Sequence, residues 1–198
     1  MKYLFTLLLI TCQLTSYGQM TAEETAESRS THLTDLTDPE DGLLDDEEKA
    51  DFHGLDYFDF DQNYQVEATF IKDKGKKFQM ETSTDRKPWY RRYGYAEFTI
   101  DGKLCRLELY QNIELKSKKE YKKYLFIPFK DGTSREETYG GGRFMDTEIP
   151  DDGILILDFN QAYNPYCAYS YRYSCPIPPA ANSLDVEIRA GEKTPVGH

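Results

Sequence analysis

The stretch WYRRYGYAEFTIDGKLCRLELY, residues 89–110, decides the fold of this chain. Apolar and polar side chains alternate through Trp89–Ile100 and again through Leu104–Tyr110, which is the pattern of strands with one buried face. Between these segments, Asp101-Gly102 is a residue pair that accepts the two positive φ angles of a type I′ hairpin turn. The stretch therefore predicts an antiparallel β-hairpin.

Shorter segments with the same strand pattern flank the hairpin on both sides. They are Tyr64–Phe70, Phe78–Thr82, Tyr124–Phe129, Ile154–Phe159 and Leu184–Ile188. Turn sequences rich in Asp and Gly separate several of them, and the one helix signal in this region is short, at residues 43–52. We expect a single all-β domain over residues 40–198, built as an antiparallel β-sandwich or barrel with a short N-terminal helix.

Negative charge is concentrated at the N-terminal side of the chain. Residues 19–61 hold fifteen acidic and two basic side chains, a net charge of −13, whereas residues 62–198 hold twenty acidic and twenty-one basic ones. Residues 19–39 contain no aromatic side chain, so we expect them to form a flexible, disordered acidic arm. Because the body of the chain is close to neutral and the acidic arm would repel phosphates, the charge distribution also argues against binding to nucleic acid.

The first eighteen residues have the pattern of a signal peptide. Met1-Lys2 gives a positive start, Leu4–Thr11 is an apolar core too short to span a bilayer, and Ser16 and Gly18 are small residues at the positions that a signal peptidase reads. We expect cleavage after Gly18 and export to the periplasm or the extracellular space, without a transmembrane span in the mature chain. Lipid anchoring through Cys12 is the alternative.

Three cysteines remain after the predicted cleavage: Cys105, Cys167 and Cys175. Cys105 lies between leucines in a predicted strand and is expected to be a small buried residue. Cys167 and Cys175 are eight residues apart across a tyrosine-rich loop, which favours a disulfide between them or free buried thiols. Since no histidine lies near either cysteine in the sequence, we expect no metal site, and no cofactor-binding motif is present.

A glycine run followed by an arginine marks the candidate ligand site. Backbone amides of glycines beside a guanidinium group suit a carboxylate, phosphate or sulfate. The alternative is a bulged, glycine-rich turn in which Arg143 pairs with an internal acid such as Asp146 or Asp158. Downstream side-chain amides and aromatic rings could complete the site. The candidate ligand-binding residues are Tyr139, Gly140, Gly141, Gly142, Arg143, Asn160, Tyr163 and Asn164.

Carboxylates near this run suggest a catalytic interpretation. Asp158 could act as a general base, with Glu137 or Asp146 as its acidic partner. The alternative is that Asp158 and the neighbouring asparagines only hydrogen-bond the backbone of turns. The tyrosines that follow provide rings and hydroxyl groups suited to sugars or aromatic ligands, and suit a core edge equally well. They are Tyr163, Tyr166, Tyr169, Tyr171 and Tyr173.

Four sequence blocks carry a resemblance to a known family. They are FHGLDYF (52–58), DGTSREETYGGGRF (131–144), LDFNQAYNPYCAY (157–169) and CPIPPAANSLDVEIRAGEK (175–193). The blocks resemble, in the same order, those of a bacterial family catalogued as domain of unknown function 1684, and the similarity runs from about Asp35 to Lys193. Ser134-Arg135 departs from the Ser-Gly expected there. The resemblance implies family membership and carries over no activity or catalytic residue.

Three functions are compatible with these observations. The first is an exported binding module for a small anionic or sugar-like ligand near Arg143. The second is a hydrolase or lyase that uses a carboxylate pair together with Arg143. The third is a structural protein of the cell envelope. No nucleophile elbow, phosphate-binding loop or dinucleotide fingerprint is present, which disfavours the commonest hydrolases and nucleotide-dependent enzymes.

Overall fold

A computed structural model describes residues 19–196, so the predicted signal peptide and Cys12 lie outside the described residues. Residues 19–196 contain two α-helices and seven strands. They are α1 (Ala22–Thr37), α2 (Asp46–Asp51), β1 (Gln65–Lys72), β2 (Lys77–Gln79), β3 (Trp89–Ile100), β4 (Lys103–Asn112), β5 (Tyr124–Phe129), β6 (Arg143–Glu148) and β7 (Ile154–Asp158). Neither helix is long and apolar enough to cross a membrane.

The strands form one antiparallel sheet in the order β6-β5-β4-β3-β1-β7, with β2 also paired to β3. The predicted hairpin is confirmed. Strands β3 and β4 pair from Tyr90 opposite Asn112 to Ile100 opposite Lys103, and both turn residues have positive φ, 50° at Asp101 and 73° at Gly102. This is the backbone geometry of a type I′ turn.

The sheet curls into a half-barrel around one main core. The strands at its two ends, β6 and β7, pair with β5 and β1 respectively and not with each other. Side chains from the inner face of the sheet fill the concave side, as the alternation along the strands predicts. Completely buried members of this core are Leu107, Leu109, Leu125, Ile127, Phe129, Phe159 and Ile188. The all-β antiparallel prediction is confirmed, with a curled half-barrel as its architecture.

Two strand predictions differ from the structure. Residues 184–188 are not a strand, although Leu184, Val186 and Ile188 are buried as the alternation suggested. This segment runs beside the loop after β5, where the N–H of Gly132 donates to the carbonyl oxygen of Val186 at 2.7 Å. Conversely, β6 was not predicted, because it begins with the charged residue Arg143.

The predicted disordered arm is wrong for residues 22–37, which form helix α1. Thr21 and Glu24 form a capping box at its start, in which each side chain accepts a hydrogen bond from the other residue's backbone N–H. Leu36 is fully buried at its end, and the hydroxyl of Ser28 donates to Gln161 Oε1 at 2.8 Å. Helix α1 therefore packs on the domain through a few side chains, most of them polar, and the folded unit includes it.

The short predicted helix is confirmed as α2. Its N-cap residue, Asp45, accepts hydrogen bonds from the backbone N–H groups of Glu47 and Glu48 at 3.1 and 3.0 Å. Glu48 also pairs with Arg172 at 2.6 Å, which lowers the pKa of Glu48 to about 2. The acidic run in this segment thus begins a helix and holds the tyrosine-rich loop, as expected of acids at a helix N-terminus.

Candidate functional site

Arg143 lies in the interior of the protein. Its side chain is 1% exposed, and its Nη2 atom lies 3.1 Å from Asp131 Oδ2 and donates to the carbonyl oxygen of Ile188 at 2.9 Å. The Nη1 atom donates to the carbonyl oxygens of Ala190 and Glu192. Both terminal nitrogens of the guanidinium group are bound by the protein itself and the side chain is buried, so the prediction that Arg143 faces a ligand is wrong.

The alternative of an internal ion pair is right, with Asp131 as the partner in place of Asp146 or Asp158. The neighbouring glycines serve the same packing. Gly142 has a φ of 94°, and a Cβ on it would lie 2.6 Å from the carbonyl oxygen of Phe129. The backbone N–H of Gly142 donates to the carbonyl oxygen of Tyr139 at 2.9 Å, which closes a turn. The glycine run therefore lets two chain segments approach each other closely.

The candidate catalytic carboxylates do not converge on Arg143. Glu137 is exposed and pairs with Arg189 at 2.8 Å. Asp158 ends β7, where Oδ1 accepts the backbone N–H of Asn160 at 3.0 Å and Oδ2 accepts Gln65 Nε2 at 2.8 Å. Asp158 thus caps a turn, as the structural alternative predicted. The proposed carboxylate pair with Arg143 is not formed.

The two predicted asparagines are both fully buried. Asn164 Nδ2 donates to the carbonyl oxygen of Lys193 at 2.7 Å, and its backbone N–H donates to Glu192 Oε2 at 2.8 Å. Asn160 exchanges two hydrogen bonds with the backbone of Asp61, at 2.9 and 3.0 Å. Both side chains fix loops to each other, and Asn160 also forms part of the cavity described below.

The cysteines are free thiols, so the structure does not contain the predicted disulfide. Cys175 Sγ instead accepts a hydrogen bond from the backbone N–H of Cys167 at 3.3 Å. A hydrogen bond from the Cys175 thiol lowers the pKa of Cys167 to about 7, and the same contact raises the pKa of Cys175. Within residues 19–196, no group of three or more His, Cys, Asp or Glu side chains could hold a metal ion.

A polar cavity of about 180 Å³ lies where helix α1 meets the domain. We call it the polar cavity. It combines residues of α1 with the end of β6 and the loop after β7. Its lining residues are Ser28, Arg29, His32, Tyr57, Asp146, Asn160, Gln161, Tyr163 and Tyr166. The structure therefore brings three of the sequence candidates together here, namely Asp146, Asn160 and Tyr163.

His32 is held in the polar cavity by aromatic residues. Its Nδ1 atom lies 3.1 Å from the hydroxyl oxygen of Tyr57, and its ring meets the ring of Tyr163 edge-on, with centroids 5.7 Å apart. Burial lowers the pKa of His32, so the imidazole is neutral at pH 7. Its Nε2 atom is buried and has no hydrogen-bond partner among residues 19–196. A buried nitrogen without a hydrogen-bond partner destabilises the folded protein unless a bound molecule supplies that partner.

Asp146 provides a carboxylate on the other side of the cavity. Its Oδ1 atom accepts the hydroxyl of Tyr124 at 2.6 Å, and Oδ2 accepts the hydroxyl of Tyr163 at 2.8 Å. The Asp146 side chain is exposed to solvent on one side. The protein atoms packed around the carboxylate partly desolvate it and so raise its pKa, while the two tyrosine hydrogen bonds lower it. Each oxygen has a second lone pair that can accept a ligand hydroxyl.

Arg29 supports the wall of the cavity. Its guanidinium carbon lies 4.4 Å from the ring centroid of Tyr57, and its two terminal nitrogens donate to the carbonyl oxygens of Phe58 and Asn160 at 3.1 and 3.3 Å. Its Nε atom is buried without a partner in the part of the chain that the structure describes. Both terminal nitrogens of Arg29 therefore join α1 to the domain, and its buried Nε donor has no partner among the described residues.

Sequence reasoning missed the contribution of helix α1 to the site. Ser28, Arg29 and His32 lie in the segment that was predicted to be a disordered arm. The signal that could have identified the helix is the pair Thr21 and Glu24, which has the spacing of a capping box. A capped helix would have placed these three side chains on the domain.

The fold and the cavity define a class of protein: an antiparallel half-barrel with a polar cavity covered by an N-terminal helix. The chain belongs to the family described as "Protein of unknown function (DUF1684)", whose model matches residues 50–193. Helix α1 precedes the matched residues. The family resemblance seen in the sequence is thereby confirmed.

A solved structure supports the same fold. The chain is 36% identical to the uncharacterized protein from gene locus rrnAC0354 of Haloarcula marismortui, known from a solution NMR structure. The two share a TM-score of 0.67, and the similarity covers 89% of this chain and 95% of that chain. No match is found among curated proteins.

Proposed function

We propose that this protein is a binding module for a small, sugar-like ligand that occupies the polar cavity. The observation that carries the proposal is that His32, which lines the cavity, has a buried Nε2 atom without a partner among the described residues. A ligand hydroxyl would supply that missing hydrogen bond. Because the cavity measures about 180 Å³, below the roughly 300–1,000 Å³ of sites for drug-sized ligands, the ligand is small, of about one ring.

The polar groups of the cavity suit hydroxyl groups. The Asp146 carboxylate accepts hydrogen bonds, neutral His32 can donate or accept one at Nε2, and the Nε donor of Arg29 has no partner among the described residues. The rings of Tyr163 and Tyr166 provide apolar surface next to these groups. Sugars combine hydroxyl groups with apolar ring faces, and tyrosine rings complement such faces.

The sequence predicted either an anionic or a sugar-like ligand, and an anionic ligand is the less favoured of the two. The proposed anion site at Arg143 is filled by Asp131. In the polar cavity, an anion would lie beside the Asp146 carboxylate, and the cation of Arg29 already binds two backbone carbonyls. Repulsion between like charges therefore favours a neutral ligand.

We also propose that the protein acts after export. The support for this is the sequence of residues 1–18, which has a positive start, a short apolar core and small residues before Gln19. Recovery of a mature chain starting at Gln19 from the periplasmic or extracellular fraction tests this proposal. A lipid-modified Cys12, found by mass spectrometry, would contradict it.

The binding proposal is tested by titrating the protein with a panel of monosaccharides and methyl glycosides. We expect saturable binding for at least one member, and a rise in Kd of at least about tenfold in His32→Gln and in Asp146→Asn, because each variant loses a hydrogen bond to the ligand. The matched control is His53→Gln, since His53 is exposed and does not line the cavity. Failure of every sugar to bind, or equal effects of the two histidine variants, would refute the proposal.

A second candidate function is acid–base chemistry on the bound ligand. It is favoured by one observation: a neutral imidazole and a carboxylate whose pKa is raised line the same cavity. This candidate replaces the original pair with Arg143. It predicts turnover of a bound glycoside that Asp146→Asn abolishes, whereas a pure binding module returns the ligand unchanged.

A further inference from the structure

A second cavity, of about 210 Å³, lies directly behind the polar cavity. We call it the aromatic cavity. Tyr163 and Tyr166 line both cavities, so the two cavities lie side by side. Other rings that line the aromatic cavity are those of Tyr90, Tyr124, Phe126, Phe144 and Tyr173.

The lining of this second cavity is mostly apolar. Seven of its twelve lining residues are aromatic, and none carries a charged side chain. The rings are packed in fixed relative positions: Phe126 and Phe144 meet edge-on with centroids 4.8 Å apart, and Phe144 meets Tyr163 edge-on at 5.9 Å. A charged group placed here would find no partner, whereas a flat apolar ring would find ring faces and edges on several sides.

Asp146 joins the two cavities. It lines the polar cavity, and its two oxygens accept the hydroxyl groups of Tyr124 and Tyr163, which line the aromatic cavity. These hydrogen bonds satisfy the polar ends of both tyrosines, so their hydroxyl groups need no partner from a ligand. The polar and the aromatic cavity are therefore adjacent, and the Asp146 carboxylate contacts residues of both.

We propose that the aromatic cavity is a subsite for an uncharged aromatic ring attached to the sugar-like group in the polar cavity. The ligand class is then an aryl glycoside or a compound of the same two-part chemistry. This inference rests on the proposed function, which assigns a sugar-like group to the polar cavity. The aromatic ring of the ligand is inferred from the residues that line the aromatic cavity.

The test compares three probes by calorimetry: methyl glycosides, phenyl glycosides of the same sugars, and phenol alone. We expect a phenyl glycoside to bind about tenfold more tightly than its methyl counterpart, because the ring is buried among aromatic side chains. Leu115→Trp should remove this gain, since Leu115 lines the aromatic cavity and a larger side chain would fill it, while the affinity for the methyl glycoside stays unchanged. Leu104→Trp is the matched control, because Leu104 is 79% exposed on the hairpin.

The outcomes separate the two proposals. Equal affinities for the methyl and phenyl glycosides, or a gain that survives in Leu115→Trp, would overturn the aromatic subsite and leave the sugar site standing. Binding of phenol that Leu115→Trp abolishes, without binding of any glycoside, would support the aromatic subsite and refute the sugar-like polar half. If none of the three probes binds, both proposals fail.

Discussion

Arg143 and Asp131 form an ion pair in the interior of the half-barrel, with Nη2 and Oδ2 3.1 Å apart and side chains that are 1% and 0% exposed. The carbonyl oxygens of residues 188, 190 and 192 surround the same guanidinium group. Arg143 thus connects the start of β6 to the C-terminal segment, which explains why an arginine follows a glycine run here without any ligand.

We predict that Arg143→Ala destabilises the protein by about 3–5 kcal/mol, because it leaves the Asp131 carboxylate buried without its partner. Urea unfolding measures the loss. Arg189→Ala is the control, since its salt bridge with Glu137 is about half exposed and is expected to contribute at most about 1 kcal/mol. Similar losses in the two variants would contradict this role of Arg143.

The docking of helix α1 gives a second prediction. Leu36 is fully buried and Leu33 is 39% exposed on the same helix. Leu36→Ala should therefore lower the free energy of unfolding by about 2–5 kcal/mol, whereas Leu33→Ala should cost well under that. Thermal or urea unfolding of the two variants checks this prediction. Equal, small effects would show that α1 is not packed on the domain and would support the prediction of a disordered arm.

The sequence predicted most of the sheet but little of the site. The hairpin at residues 89–110 was predictable because alternation and an Asp-Gly turn are local signals that agree with each other. The site was not, because its key side chains depend on tertiary contacts. His32 lies on a helix with few buried apolar residues, and nothing local in the sequence indicates that Asp131, rather than Asp146, pairs with Arg143.

A buried glutamate makes stability depend on pH. Glu192 is completely buried, its Oε2 atom accepts the backbone N–H of Asn164 at 2.8 Å, and its Oε1 atom has no partner among residues 19–196. Burial raises the pKa of Glu192 to about 8, although nearby Arg143 and Arg29 act in the opposite direction. The folded protein therefore keeps Glu192 protonated near pH 7.

We predict that the Glu192 contribution to stability is fully present below about pH 4.5 and is lost as the pH rises to about 8. Between these values the unfolded chain releases a proton that the folded protein retains, so stability falls by up to about 1.4 kcal/mol per pH unit. The measurement is the difference in unfolding free energy between the wild type and Glu192→Gln from pH 5 to pH 8. A difference that stays constant or rises with pH would contradict the prediction.

The adjacent thiols give a further prediction. Because a hydrogen bond from Cys175 lowers the pKa of Cys167 to about 7, alkylation of Cys167 by iodoacetamide should reach half its maximal rate near pH 7. Cys175→Ala should move this midpoint upward, since it removes the side chain that donates the hydrogen bond to Cys167. Peptide mass spectrometry, with buried Cys105 as the internal reference, follows each thiol. An unchanged midpoint in Cys175→Ala would rule out the coupling.

The central claim, that His32 Nε2 binds a ligand in the polar cavity, is tested most directly by NMR of protein with ¹⁵N-labelled histidine. The chain has three histidines, so His32→Gln and His53→Gln assign their ring signals. We predict that a sugar that binds shifts the Nε2 signal of His32, and that this shift saturates with the same Kd as binding. The ring signals of His53 should stay unchanged. A bound sugar that leaves the His32 ring unperturbed would contradict it.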